Sequence, residues 1–279
     1  MSVRRLPRPP GRTVVVEEGG GAVRKTFFGD DPRALLRLAE AEFGRLQQFH
    51  RALGDVTGAG SPRPIEIRSD PEVVIRMERA PGRPLLDVLR HRDLAPDLVE
   101  RLAAVAAAAV TRYVDALGEP YADFQFDNML FDEASEGLTF LDLGPPDGGH
   151  PPPPGSPALE LTLGNLIGST VFQSARPRWA LASRQHRQAV ALCSRIVERV
   201  DRFEGRALAP GDLHACAVAA YQRCAFKEGW AGWIWYRSVG YFLARRPRIL
   251  GLRFSPPRRP RRQASGSPSR DVPGGTNRK

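Results

Sequence analysis

Residues 121 to 144, YADFQFDNMLFDEASEGLTFLDLG, gather the side chains best suited to chemistry in this 279-residue chain. Asp123 is followed five positions later by Asn128, and Asp142 comes 14 positions after that, within LDLG. Two carboxylates and an amide oxygen are hard ligands of the kind magnesium prefers. Neither D-x-x-x-x-N nor D-L-G carries weight alone, because both strings are common. Their weight comes from what separates them. The apolar run Met129-Leu130-Phe131, a turn, and a second apolar run ending at Asp142 read as a loop followed by a β-hairpin. Such a hairpin would fix all three groups on short, ordered backbone.

Upstream, TVVVEE (13–18) and AVRKTFF (22–28) are β-rich runs separated by Gly19, Gly20 and Gly21, a strong hairpin signal that puts Lys25 on the second strand. From Ala34 to Leu53, Leu35, Leu38, Ala39, Phe43, Leu46 and Phe49 recur at helical spacing, with Asp30 or Asp31 available as a cap and Pro32 near the first turn. Glu42 lies in that helix. Strands are expected at 65–68 and 73–79. From Leu85 onward the pattern turns helical, first in LLDVLR and then in an Ala-rich helix over 99–117. The run PPDGGHPPPPGSP (145–157) is too rich in proline for a regular element and reads as an exposed loop. Helical patterns resume over 159–172, 184–200 and 213–226.

Composition bounds the possibilities. At 42% hydrophobic the chain can bury a substantial core, which excludes a disordered or fibrous protein. Cys193, Cys216 and Cys224 form no Cys-x-x-Cys pair and are odd in number, which fits a reducing compartment and argues against a zinc or disulfide framework. The basic N-terminus is followed by no apolar signal core, and no run of about 18 apolar residues occurs. The expected location is the cytoplasm, with peripheral membrane contact as a variant. The net charge of +10 is concentrated in residues 255–279, where seven basic side chains face one acid. That tail, dense in Pro, Ser and Gly, is expected to be disordered. A solvated extension without a function of its own is the favoured reading, with weak contact with an anionic surface as the alternative, and no specific nucleic-acid partner is expected.

The ordered set Lys25, Glu42, Asp123, Asn128 and Asp142 resembles the protein-kinase-like superfamily. The short form is most similar to the bacterial aminoglycoside, choline and lipopolysaccharide kinases, over roughly residues 13–245. The resemblance implies an α+β, two-lobed fold: a small, truncated β-rich N-lobe (1–80), a larger, mainly α C-lobe (81–254), and the basic tail (255–279). It implies ATP and Mg2+ as cofactors and a small-molecule or lipid-linked hydroxyl acceptor. Asp123 would accept the proton of the attacking hydroxyl, Asn128 and Asp142 would hold magnesium, and Lys25, oriented by Glu42, would position the phosphates. In VVIRMERAPGRPL, backbone groups from Glu78 to Ala80 would meet adenine, and Pro81-Gly82 would turn the chain.

Tyr121 stands where the family has histidine, and Gln125 where many protein kinases have lysine. Glu160 occupies a place often held by aspartate in small-molecule kinases, and no chemistry is assigned to it. The turn at 19–21 falls only four residues before Lys25, so a phosphate-covering hairpin would have to fit within residues 1–13. Either that roof is abbreviated or the natural start lies upstream of Met1. A catalytically silent kinase-like binding module is the alternative to an active enzyme, and a tether acting through the basic tail is a third. Trp230, Trp233, Trp235 and Tyr236, followed by Arg245, Arg246 and Arg248, read as a last helix packed on the core, or as an interfacial segment.

Overall fold

A computed structural model of the chain describes residues 12–18, 20–143, 157–174, 184–202 and 204–227. The expected N-terminal roof, most of the proline-rich loop, the aromatic segment at 229–254 and the basic tail lie outside the described residues. The fold is α+β, with six helices and two four-stranded sheets among those residues.

The first sheet has the order β1-β2-β5-β4, built from β1 (Arg12–Glu18), β2 (Ala22–Phe28), β4 (Pro64–Arg68) and β5 (Val73–Glu78), all antiparallel. The β1–β2 turn needs glycine, since Gly20 and Gly21 have φ of +81° and +77°. Lys25 sits opposite Val15 on one side and Ile75 on the other, in the middle of the sheet. On the opposite face Arg76 joins Glu18 and Glu66 in a row of ion pairs.

Helix α1 (Pro32–Ala52) covers the inner face of this sheet. Asp31 caps it, accepting from the Arg33 and Ala34 amides at 2.9 and 3.1 Å, which starts the helix at Pro32. Its buried stripe is Leu35, Ala39, Glu42, Leu46 and Phe49, so Glu42 occupies an apolar position rather than the charged face.

The second sheet has the order β3-β8-β7-β6, and two of its strands were not expected. β3 (Ala59–Gly60) and β6 (Arg83–Pro84) are two residues each, too short for a periodic signal. β3 lies parallel to β8 (Gly137–Phe140), and β6 lies antiparallel to β7 (Met129–Asp132). The β7–β8 hairpin matches the expected one. The first 80 residues therefore contribute a strand to this sheet as well.

Helices α2 (Leu85–His91), α3 (Pro96–Leu117), α4 (Ala158–Ser174), α5 (Arg184–Arg202) and α6 (Pro210–Lys227) complete the described fold. Helix α3 begins three residues before the expected start and ends at Gly118, in the left-handed conformation. Helix α4 is buried nearly all round. It meets α6 at backbone distance, because a Cβ added to Gly164 or Gly168 would lie 2.4 Å from Cys216 Cβ or 2.5 Å from the Ala217 oxygen. One continuous core runs from Phe27 on β2 to Tyr221 on α6.

Gly82 links the two sheets with a φ of +101°, and a Cβ there would lie 2.5 Å from the Phe131 carbonyl oxygen. Gly82→Ala is expected to cost at least about 2 kcal/mol in urea denaturation. Gly118→Ala, at φ +67° with open space around it, should cost about 1 kcal/mol.

Candidate functional site

Lys25 is 5% exposed in the sheet and Glu42 4% exposed on α1. A buried ammonium is costly unless paired and hydrogen-bonded. Lys25 Nζ donates to Glu42 Oε1 and to Asp142 Oδ1, each at 2.6 Å. Burial pulls the Lys25 pKa down, but the two carboxylates outweigh it and hold the group above its ordinary value, so it stays charged. One ammonium serves two carboxylates. Burial therefore leaves Glu42 above the usual carboxylate range despite Lys25.

Asp142 follows β8 with a φ of +55°, a conformation that non-glycine residues rarely adopt and that Asp tolerates better than most. The preceding residue fixes it there. The Leu141 amide donates to the Asn128 carbonyl at 2.8 Å, and the Leu141 carbonyl accepts from the Tyr121 hydroxyl. Tyr121 is held by stacking on Tyr113, with ring centroids 4.7 Å apart, and by the Phe49 edge. Burial, followed by the negative field of Asp142, Tyr113, Asp123 and Glu42, drives the Tyr121 pKa well up. The phenol thus remains a donor.

The backbone on both sides of Asp123 is tied down. Tyr121 N–H donates to Thr162 Oγ1 at 2.9 Å, Asn165 Nδ2 donates to the Ala122 carbonyl at 2.8 Å, and Asn128 Nδ2 donates to the Asp123 carbonyl at 3.0 Å. Thr162 and Asn165 escaped the sequence reading. Their signal was polar residues within the apolar run LELTLGNLIGSTVF, which becomes a buried helix able to spend polar groups only on partners. Further along the loop, Gln173 of α4 donates to Asp127 at 2.7 Å and to Gln125 at 3.4 Å. Glu160 accepts from the Ala209 amide at 3.2 Å, a structural link between α4 and the segment before α6.

Lys25, Glu42, Glu78, Ala80, Asn128 and Asp142 line one cleft of about 750 Å3, roofed by Thr13, Val15 and Val23 of the first sheet. Asp123 is partly buried on the adjoining loop. No protein-family model matches the chain, and no curated protein matches it. Among the described residues, no group of three or more His, Cys, Asp and Glu side chains could hold a metal ion. Asn128 commits its amide nitrogen to Asp123 O, which leaves its oxygen, with the carboxylate of Asp142, as a two-residue donor set on the cleft wall. Those hard oxygens are of the kind that suits magnesium.

The segment Glu78 to Ala80 is already partly hydrogen-bonded. Glu78 N–H donates to Arg63 O and Arg79 N–H to Gly21 O, both at 2.9 Å, and Pro81 has no N–H. Ala80, which lines the cleft, is the residue of this stretch whose N–H has no backbone acceptor among the described residues.

Lys25→Met should lower stability by about 3 kcal/mol, because it leaves Glu42 buried without a cation. In Lys25→Met/Glu42→Leu at least about 1 kcal/mol of that should return, as read from denaturation midpoints. Tyr121→Phe keeps the stack but deprives the Leu141 carbonyl of its donor, for an expected loss of about 1 to 2 kcal/mol.

Proposed function

We propose that this chain is a phosphotransferase of two-lobed, protein-kinase-like fold, which transfers the γ-phosphate of ATP to a hydroxyl of a small-molecule or lipid-linked acceptor. The observation that carries this reading is the buried Lys25 ammonium held between Glu42 and Asp142 at the wall of a cleft of about 750 Å3. A cation fixed by a helix carboxylate and aimed at a second, partly exposed carboxylate is what a polyphosphate site needs. It supplies positive charge for phosphate oxygens and an anionic group for a metal.

In this reading adenine lies against Val15, Val23 and Met77, with its edge toward the Ala80 N–H. Lys25 turns from Asp142 to the α and β phosphates while Glu42 keeps its ammonium in place. Asn128 and Asp142 would hold magnesium, which when bound neutralises phosphate charge. Asp123, fixed through the backbone of its own loop, receives the proton of the acceptor hydroxyl. The acceptor oxygen forms its bond to the γ-phosphorus as the bond to the departing ADP oxygen breaks. Positioning and fixed charge supply most of the rate in such a transfer. The ties on residues 121–123 and on Leu141 are the means of positioning here.

Thermal unfolding with and without Mg-ATP tests the proposal directly. At about 100 times the dissociation constant, the nucleotide should stabilise the wild type by roughly 2.7 kcal/mol. The shift should require magnesium and should vanish in Asp142→Ala. Asp123→Asn should retain it while ADP release falls by about 100-fold or more. A wild type without any magnesium-dependent shift would sink the phosphotransferase and leave a silent kinase-like module.

A further inference from the structure

Arg223 apart, the partly buried arginines among the described residues face carboxylates. Arg24 and Arg76 pair with Glu18, Arg45 with Glu119, Arg92 with Glu133, and Arg199 with Glu100. Arg223 of α6 is also partly buried, yet its partner is the uncharged Oδ1 of Asn165. Among the described residues it has no carboxylate at ion-pair distance. A guanidinium offers five N–H donors in a rigid fork, and here one nitrogen is committed. A partly desolvated charge without a counter-charge is costly, so the site is built to receive an anion or carries that cost for nothing.

Its location says which anion. Asn165 reaches through its other amide atom to the Ala122 carbonyl at 2.8 Å. Arg223 therefore stands two hydrogen bonds and one amide, roughly 7 Å, from the backbone that precedes Asp123. It is not part of the lining of the nucleotide cleft, which is reached from the Asn128 and Asp142 side. The loop from 121 to 128 contains Asp123 and Asp127 and no basic residue, with Gln125 two positions after Asp123. In the proposed transfer Lys25 serves the α and β phosphates, so a phosphate-class group beside Asp123 and Asp127 finds no cation in the loop itself and would gain from one on the α4–α6 side.

We propose that Arg223 is an anion-binding residue on the α4–α6 side of the loop, and that it takes a phosphate-class group: the phosphoryl in transfer, or a phosphate borne by the acceptor. The role given to Asp123 rests on the phosphotransferase reading; the anion site rests on the arginine's own geometry.

Inorganic phosphate is the probe, titrated against the whole protein with and without saturating Mg-ADP and followed by thermal shift and calorimetry. Wild type is expected to bind phosphate in a salt-sensitive way. Arg223→Gln should weaken binding by about tenfold or more, and Arg223→Lys, which keeps the charge and loses the fork, by less. Phosphate binding that tightens with Mg-ADP would identify the phosphoryl in transfer; binding indifferent to Mg-ADP would identify an acceptor phosphate. Equal affinity in wild type and Arg223→Gln, or no phosphate binding by wild type, overturns the proposal. If Arg223→Gln fails to fold, the Arg223→Lys affinity decides in the same way. A wild type that shows the Mg-ATP shift but no phosphate binding removes the anion site and leaves the phosphotransferase reading standing.

Discussion

The Lys25 ammonium, 2.6 Å from both Glu42 and Asp142, joins three parts of the chain made by different local rules. Lys25 comes from a period-two strand, Glu42 from the apolar stripe of a capped helix, and Asp142 from a left-handed residue at the end of a hairpin. None of these groups is at ease by itself. The lysine and the glutamate are buried charges, and the aspartate sits in an unfavourable backbone conformation. Each is tolerable because the other two are in place, so sheet, helix and hairpin share one electrostatic centre. That centre holds one cation against two carboxylates. Before a highly charged anion can settle beside it, the excess negative charge has to be met by a metal or displaced.

Tyr121, Leu141 and α4 convert this centre into a positioned site. Leu141 is gripped at both its amide and its carbonyl, and the peptides around Asp123 are gripped from Thr162, Asn165 and Asn128. Part of the grip comes from α4, a helix buried nearly all round and seated on α6 through glycines. A polar group placed on such a helix has few alternative partners, which makes its hydrogen bonds selective as well as strong. The loop takes its shape from its neighbours rather than from its own sequence.

Much of this was legible in the sequence. The β1–β2 hairpin, α1, β5, the β7–β8 hairpin and the later helices follow from periodicity and turn residues. The order Lys25, Glu42, Asp123, Asn128, Asp142 brought together groups that the structure gathers at one cleft and its adjoining loop. Glu42 could have been read more sharply, since a carboxylate in register with Leu35, Ala39, Leu46 and Phe49 is a charge on a buried stripe. β3 and β6 were not legible, because two residues have no period and exist only through pairing with distant strands. The same holds for the Ala80 N–H, left over once Arg63 and Gly21 occupy the neighbouring amides, and for Thr162 and Asn165, whose partners lie some 40 residues away in sequence.

β3 has a mechanical meaning. The two residues Ala59 and Gly60 follow α1 closely in the chain, yet they are hydrogen-bonded into β8, the strand that delivers Asp142. The C-terminal end of α1 is thus moored to the second sheet, while Glu42 lies ten residues up the helix from Ala52, about 15 Å along its axis. Arg45, paired with Glu119 beyond α3, adds a second mooring near the middle. The Asp31 cap is therefore the end of α1 farthest from both moorings.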